Sequence, residues 1–165
     1  MTDMAPEPST VLMPGASPSQ RVRLAGDLAL PRSHTVAELR DLPQHTVETD
    51  FVCARRGPQR HVFTGPLLFD VVSAAGPRFD PVITKDRARY LLAVAGADGH
   101  VAVLSWGEID PRYGRTRALL ATWMDGRALD AEGPHLAVPG DLAGGRYISR
   151  IVRIWIGPTD RLTRL

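Results

Sequence analysis

A single cysteine, Cys53, is all the thiol chemistry that the 165-residue sequence holds. One thiol excludes an internal disulfide framework and any zinc cluster built from cysteines. Lysine is as scarce: Lys85 stands alone among 20 basic residues, the rest being arginine. Because the net charge is only +2 and aromatics make up 6%, there is no basic stripe with interleaved rings for nucleic acid. No apolar run approaches the ~20 residues of a membrane-spanning helix. The start of the chain has neither the basic opening nor the apolar stretch of a secretory signal, so the expected location is the cytoplasm. No histidine pair has HExxH spacing, and no serine sits in a nucleophile elbow.

What is present suits one soluble domain with a core: 44% hydrophobic and 23% charged residues. Residues 1–20 carry four prolines with Ser, Thr, Ala and Gly and no sustained period, so a disordered tail is expected there. Residues 21–165 are expected to form the domain. Thr35 to Glu38 and Ser105 to Glu108 both have capping-box spacing ahead of short helices. From Thr46 to Ala54 the chain alternates, putting Val47, Thr49, Phe51 and Cys53 on one face of a half-buried strand. His61 to Phe63 is a short return strand. Pro66 suits the first position of a helix running to Ala75, with Gly76 as its stop. Strands are expected over Arg89–Ala95 and Val101–Leu104, joined by the Ala97-Asp98-Gly99-His100 turn. Ala118 to Met124, the Asp125-Gly126 turn and Arg127 to Leu129 read as a hairpin. Leu136–Val138 and Tyr147–Ile156 close the chain, the last with Ile148, Val152, Ile154 and Ile156 on one side. Strands dominate and hairpin turns join neighbours, which makes the class α+β.

Two features bear on chemistry. Cys53 ends a strand and is followed by Arg55, Arg56 and Gly57, so its sulfur is either a small buried hydrophobe or a thiol at a cleft rim beside cations. Nearby arginine favours thiolate, the form that a nucleophile or a soft metal ligand needs. The segment Val138-Pro-Gly-Asp-Leu-Ala-Gly-Gly-Arg-Tyr147 places glycines at 140, 144 and 145 between two strands. Such a loop permits positive φ and close backbone approach, and Arg146 adds a planar fork suited to phosphate; an ordinary glycine-rich connection is the other reading. His34, His45 and His61 are expected at the surface or at strand edges, His100 follows a turn, and His135 precedes the Leu-Ala-Val-Pro-Gly run.

The order of segments resembles the molybdopterin-binding domain of the sulfite oxidase family, in its short single-domain bacterial form. The likeness is carried by Cys53-Ala-Arg-Arg56, Phe63-Thr-Gly-Pro-Leu-Leu-Phe-Asp-Val-Val-Ser-Ala-Ala-Gly76 and Ala97-Asp-Gly-His-Val-Ala-Val-Leu-Ser-Trp-Gly-Glu108. Gly133-Pro-His-Leu-Ala-Val-Pro-Gly-Asp141 and Gly144-Gly-Arg-Tyr-Ile-Ser-Arg-Ile-Val-Arg-Ile154 complete it, so that it spans roughly Arg23 to Gly157. The resemblance implies a strand-rich mixed fold around a molybdenum–molybdopterin cofactor, and a molybdopterin-dependent oxidoreductase moving an oxygen atom or carrying out a reduction. It implies Cys53 as the thiolate on the metal and Arg55 as a catalytic group steadying an anionic substrate or the reduced metal. Arg56, His100, His135, Gly144, Gly145 and Arg146 are the implied cofactor contacts. His135 falls at or next to a position where the family has a pterin-contacting arginine. A small anionic substrate and a redox partner protein follow from the same likeness. Two alternatives stand beside it: a non-catalytic member of the fold that has lost the cofactor and binds a partner or small anion, and a cysteine-nucleophile enzyme using His61 or His100 as base.

Overall fold

The computed structural model describes residues 20–161; of the expected tail only Gln20 falls among them. The elements follow in the order β1 (Arg21–Gly26), β2 (Ser33–Thr35), α1 (Val36–Arg40), β3 (His45–Cys53), β4 (Gly57–Gly65) and α2 (Leu68–Ala74). A 3-10 turn over Asp86–Arg89 leads to β5 (Tyr90–Gly96), β6 (Val101–Ser105) and α3 (Trp106–Ile109). Then come β7 (Leu119–Ala121), β8 (Trp123–Met124), β9 (Arg127–Ala128), β10 (His135–Ala137), a 3-10 turn over Gly144–Arg146 and β11 (Ile151–Pro158). This is the α+β architecture expected, rich in strands and with short helices.

Three sheets divide these strands. A five-stranded sheet has the order β2-β1-β11-β5-β6, a four-stranded one β3-β4-β8-β9, and β10 pairs with β7 alone. Alternation decides the inner face of the first sheet. Val22 and Leu24, Leu92 and Val94, Ala102 and Leu104, and Ile154 and Ile156 all point inward and are buried. Leu68, Val71 and Val72 of α2 and Trp106 of α3 close the same core. A second, smaller cluster of Phe63, Leu119, Ala121, Leu129 and Ala137 lies under the four-stranded sheet, with Met124 and Tyr147 against it.

Both capping boxes form: Thr35 Oγ1 accepts from Glu38 N–H at 3.1 Å, and Ser105 Oγ from Glu108 N–H at 3.2 Å. Gly76 stops α2 with φ +67°, a conformation that a side chain resists. Asp125 and Gly126, at φ +51° and +77°, make the β8–β9 turn.

Several boundaries differ from the sequence reading. The return strand is β4, running on both sides of His61–Phe63; Pro58 is tolerated because β8 pairs with β4 only at Phe63 and Thr64, so the proline faces no ladder on that side. Pro66 precedes α2 instead of opening it. Leu68 N–H donates to Ala118 C=O at 2.8 Å, and Leu120 N–H to Pro66 C=O at 3.0 Å, which ties this stretch to β7 before the helix begins. The expected Ala118–Met124 strand breaks at buried Thr122, whose N–H donates to Thr64 C=O, so β7 and β8 join different sheets. The last strand starts at Ile151, because Leu136 N–H takes the Ile148 carbonyl at 2.8 Å and Arg150 turns the chain at φ +52°. An irregularity between Ile151 and Arg153 rotates Val152 off the apolar face, and Ile151 is buried in its place.

Candidate functional site

The site begins at the end of β3. Beyond the β3–β4 pairing, Val52 N–H donates to Leu142 C=O at 2.9 Å, and Val52 bridges Ala143 in parallel. That added contact carries the glycine-rich loop against the strand bearing Cys53. Gly144 is needed there: a Cβ at this position would stand 3.0 Å from two ring carbons of Phe51. At Gly145 a Cβ would meet nothing within 4 Å, so the loop presents bare backbone to open space. Of the loop glycines only Gly140, at φ +91°, uses the left-handed region.

Hydrogen bonds on the far side hold the loop. Arg146 Nη2 and Nε donate to the two oxygens of Asp141 at 2.7 and 3.0 Å, and Nη1 donates to Glu108 Oε1 at 2.7 Å. Glu108 closes the capping box of α3, its other oxygen accepting from the N–H of the N-cap Ser105 at 2.7 Å. Burial alone would raise the Glu108 carboxyl, but Arg146 and the Ser105 N–H outweigh it and hold the group below the usual range. His100, on the β5–β6 turn, reaches the Gly145 carbonyl with Nε2 at 2.9 Å; since a carbonyl only accepts, that nitrogen carries the proton.

Two cavities meet around Cys53 and Tyr147. The larger, about 600 Å³, is lined by Cys53, Arg55, His100, Gly144, Gly145 and Tyr147 among others. The smaller, about 390 Å³, is lined by Cys53, Arg56, His61, Arg127, His135 and Tyr147 among others. Both fall in the size range of small-molecule sites. The thiol is half-buried, not sealed among aliphatic side chains. The backbone N–H groups of Arg55 and Arg56 hold it below the ordinary cysteine range, with the two guanidinium charges adding to the effect.

The inner wall is polar. His135 is buried, its Nδ1 2.8 Å from Tyr147 Oη. Its Nε2 lies 3.3 Å from Glu132 Oε2 but out of line for a hydrogen bond, leaving a buried ring nitrogen without a partner. Burial pushes His135 below the ordinary histidine range and pushes Tyr147 up to about 12, so both are neutral near pH 7. Glu132 pairs with Arg127 across the same wall.

Of the residues singled out from sequence, Cys53, Arg55, His100, Gly144 and Gly145 come together in the larger cavity, and Cys53, Arg56 and His135 in the smaller. Arg146 lines neither; its guanidinium is engaged by Asp141 and Glu108. His61, expected at the surface, stands in the cavity wall. Arg127, Glu132 and Tyr147 were not singled out; Tyr147 had a signal, standing directly after the Gly-Gly-Arg run, while Arg127 and Glu132 had none. Among the described residues no group of three or more His, Cys, Asp and Glu side chains is arranged to hold a metal ion, so a metal at Cys53 would draw its other ligands from elsewhere.

The oxidoreductase molybdopterin binding domain family matches residues 14–162. The chain belongs to that family. No curated protein matches it. Among solved structures it is similar to the sulfane dehydrogenase SoxCD from Paracoccus pantotrophus, with a TM-score of 0.64 at 19% identity over 82% of this chain. At that identity the likeness shows the sulfite oxidase-like molybdopterin-binding fold. The match covers only 37% of the SoxCD chain. No helix among the described residues is long and apolar enough to cross a membrane.

Proposed function

We propose that this domain is a molybdopterin-dependent oxidoreductase in which the Cys53 thiolate is the protein's ligand to molybdenum. The observation that carries the reading is the half-exposed sulfur, held toward thiolate by two peptide N–H groups, where two ligand-sized cavities meet. A soft thiolate suits a metal whose remaining sulfur ligands come from the dithiolene of the pterin. The chain's own residues fit such a group. Gly144 and Gly145 offer a wall of bare backbone along which a large planar ligand can lie, and His135 Nε2, which makes no aligned hydrogen bond to the nearby Glu132, offers a buried polar contact on the other side. When bound, the cofactor supplies two-electron oxygen-atom transfer or the corresponding reduction.

What the protein adds is placement and charge. His100 fixes the Gly145 carbonyl, and Arg146 anchors the loop through Asp141 and Glu108, so it acts as a positioning residue with no hand on the phosphate. Arg55 faces the larger cavity and Arg56 the smaller, where they attract and orient a small anionic substrate. Electrons pass to or from a redox partner protein. The test is elemental and pterin analysis of protein purified from a host that makes the cofactor. Wild type carries about one molybdenum per chain, a single ligating thiolate serving a single metal, and Cys53→Ser carries none. Wild-type protein free of metal and pterin from such a host overturns the reading in favour of a non-catalytic member of the fold.

A further inference from the structure

The smaller cavity holds a second chemical feature that the Cys53 site leaves unused. His61, in the middle of β4, has Nδ1 2.7 Å from Asp125 Oδ2. Asp125 belongs to the β8–β9 turn, and its other oxygen accepts from Val62 N–H at 2.8 Å. The carboxylate is therefore fixed at both oxygens, one by backbone and one by the imidazole. The Val62 N–H first, then His61, hold Asp125 below the usual carboxylate range, so it is ionised and acceptor-only at neutral pH. An ionised oxygen facing Nδ1 requires the proton to sit on Nδ1. The tautomer then leaves a lone pair on Nε2, for which no described residue supplies a hydrogen-bond partner, and the ring lines the cavity that Cys53 also borders. Phe51 and Phe63 flank the ring, with centroids 6.2 and 5.8 Å away, and restrict its swing.

We propose that His61 and Asp125 form a proton-accepting dyad on the wall of the Cys53 cavity, taking a proton from water or a substrate hydroxyl bound there. The proposal rests on the cavity being the reaction site. In the step, one O–H bond breaks, an N–H bond forms at Nε2, and the Nδ1 proton stays facing Asp125. The product is an oxyanion and an imidazolium–carboxylate pair, with no electron moved. The arrangement follows the general rule that a carboxylate orients an imidazole and steadies its charged form while the far nitrogen does the proton transfer. The other charged or titratable groups lining this cavity are Cys53, whose thiolate the metal takes in the reading above, Arg56, Arg127, Glu132, His135 and Tyr147. Arg127 and Glu132 neutralise each other, and His135 and Tyr147 are neutral, which leaves Arg56 to hold the oxyanion that the step produces.

Asp125→Asn is the discriminating variant, because asparagine accepts the positive φ of this turn and keeps the shape. With the amide oxygen on Val62 N–H, the amide nitrogen faces Nδ1, and the imidazole proton moves to Nε2. Nitrogen-15 spectra of the imidazole, taken above the histidine titration, then show Nδ1–H in wild type and Nε2–H in the variant. Acylation of His61 by diethyl pyrocarbonate falls about 10-fold or more. In cofactor-loaded protein, with sulfite and ferricyanide as probe substrate and acceptor, both Asp125→Asn and His61→Gln lower turnover about 100-fold or more at unchanged molybdenum content. A wild-type Nε2–H tautomer, equal acylation rates, or unchanged turnover in both variants overturns the dyad. Missing molybdenum in wild type instead strikes at the Cys53 reading, and the spectra and acylation rates still decide whether Nε2 is the accepting nitrogen.

Discussion

The five-stranded and four-stranded sheets use the same alternating pattern to opposite ends. Strands β1, β11, β5 and β6 turn a mainly aliphatic face, with Tyr90 at the start of β5, onto α2 and α3, and every large inward side chain there is buried. Strands β3 and β4 start the same way, with Phe51 and Phe63 inside, but the line then gives out into Cys53, His61 and Arg56 around open space. The first region gains its free energy from removing apolar surface from water. The second forgoes part of that burial and keeps polar groups half-satisfied, which is the expected signature of a site instead of a core.

The difference is measurable. Leu92→Ala in the five-stranded sheet leaves a hole in packed aliphatics and costs about 3 kcal/mol in urea unfolding. Arg146→Ala, which removes the loop's ion pairs to Asp141 and Glu108, costs about 1–2 kcal/mol and lowers cofactor occupancy, read by pterin fluorescence after denaturation. Cys53→Ala, at the cavity rim, changes unfolding by about 1 kcal/mol or less, although its effect on metal content is total. A cost as large as that of Leu92→Ala would erase the distinction between the two regions.

Two titrations sharpen it further. His135 is held neutral by burial, with its folded pKa below the ordinary value, so the unfolded chain binds more protons as pH falls through about 6.5. Stability therefore declines from neutral pH toward the depressed folded pKa, and His135→Gln flattens that decline in thermal unfolding scans. Cys53 is also shifted down, but there the charged form is the one favoured: alkylation of the cofactor-free protein by iodoacetamide reaches half its maximal rate below the pH of about 8.5 typical of a free thiol.

Local signals made much of this legible. The two capping boxes, the alternation of β3 and the glycine stop of α2 are set by neighbours in sequence, and the structure keeps each of them. The order of motifs pointed to Cys53 and to the glycine-rich loop, but that Gly144 and Gly145 share a cavity with Cys53 is visible only in the structure. What stayed hidden depends on long-range pairing. Thr122 splits an apolar run because β4 claims its N–H, and Pro66 yields the helix start to β7. Arg146 looked free because Glu108, which neutralises it, is 38 residues away. His61 looked like an edge residue because its partner Asp125 is 64 residues away and was accounted for by its turn.

The measurement that bears most directly on the central claim is molybdenum X-ray absorption on the purified, loaded protein beside the same cofactor released from it. The account predicts one sulfur neighbour more around the metal in the protein than in the released cofactor. Equal sulfur counts in the two would contradict it, and the thiol of Cys53 would not be a ligand.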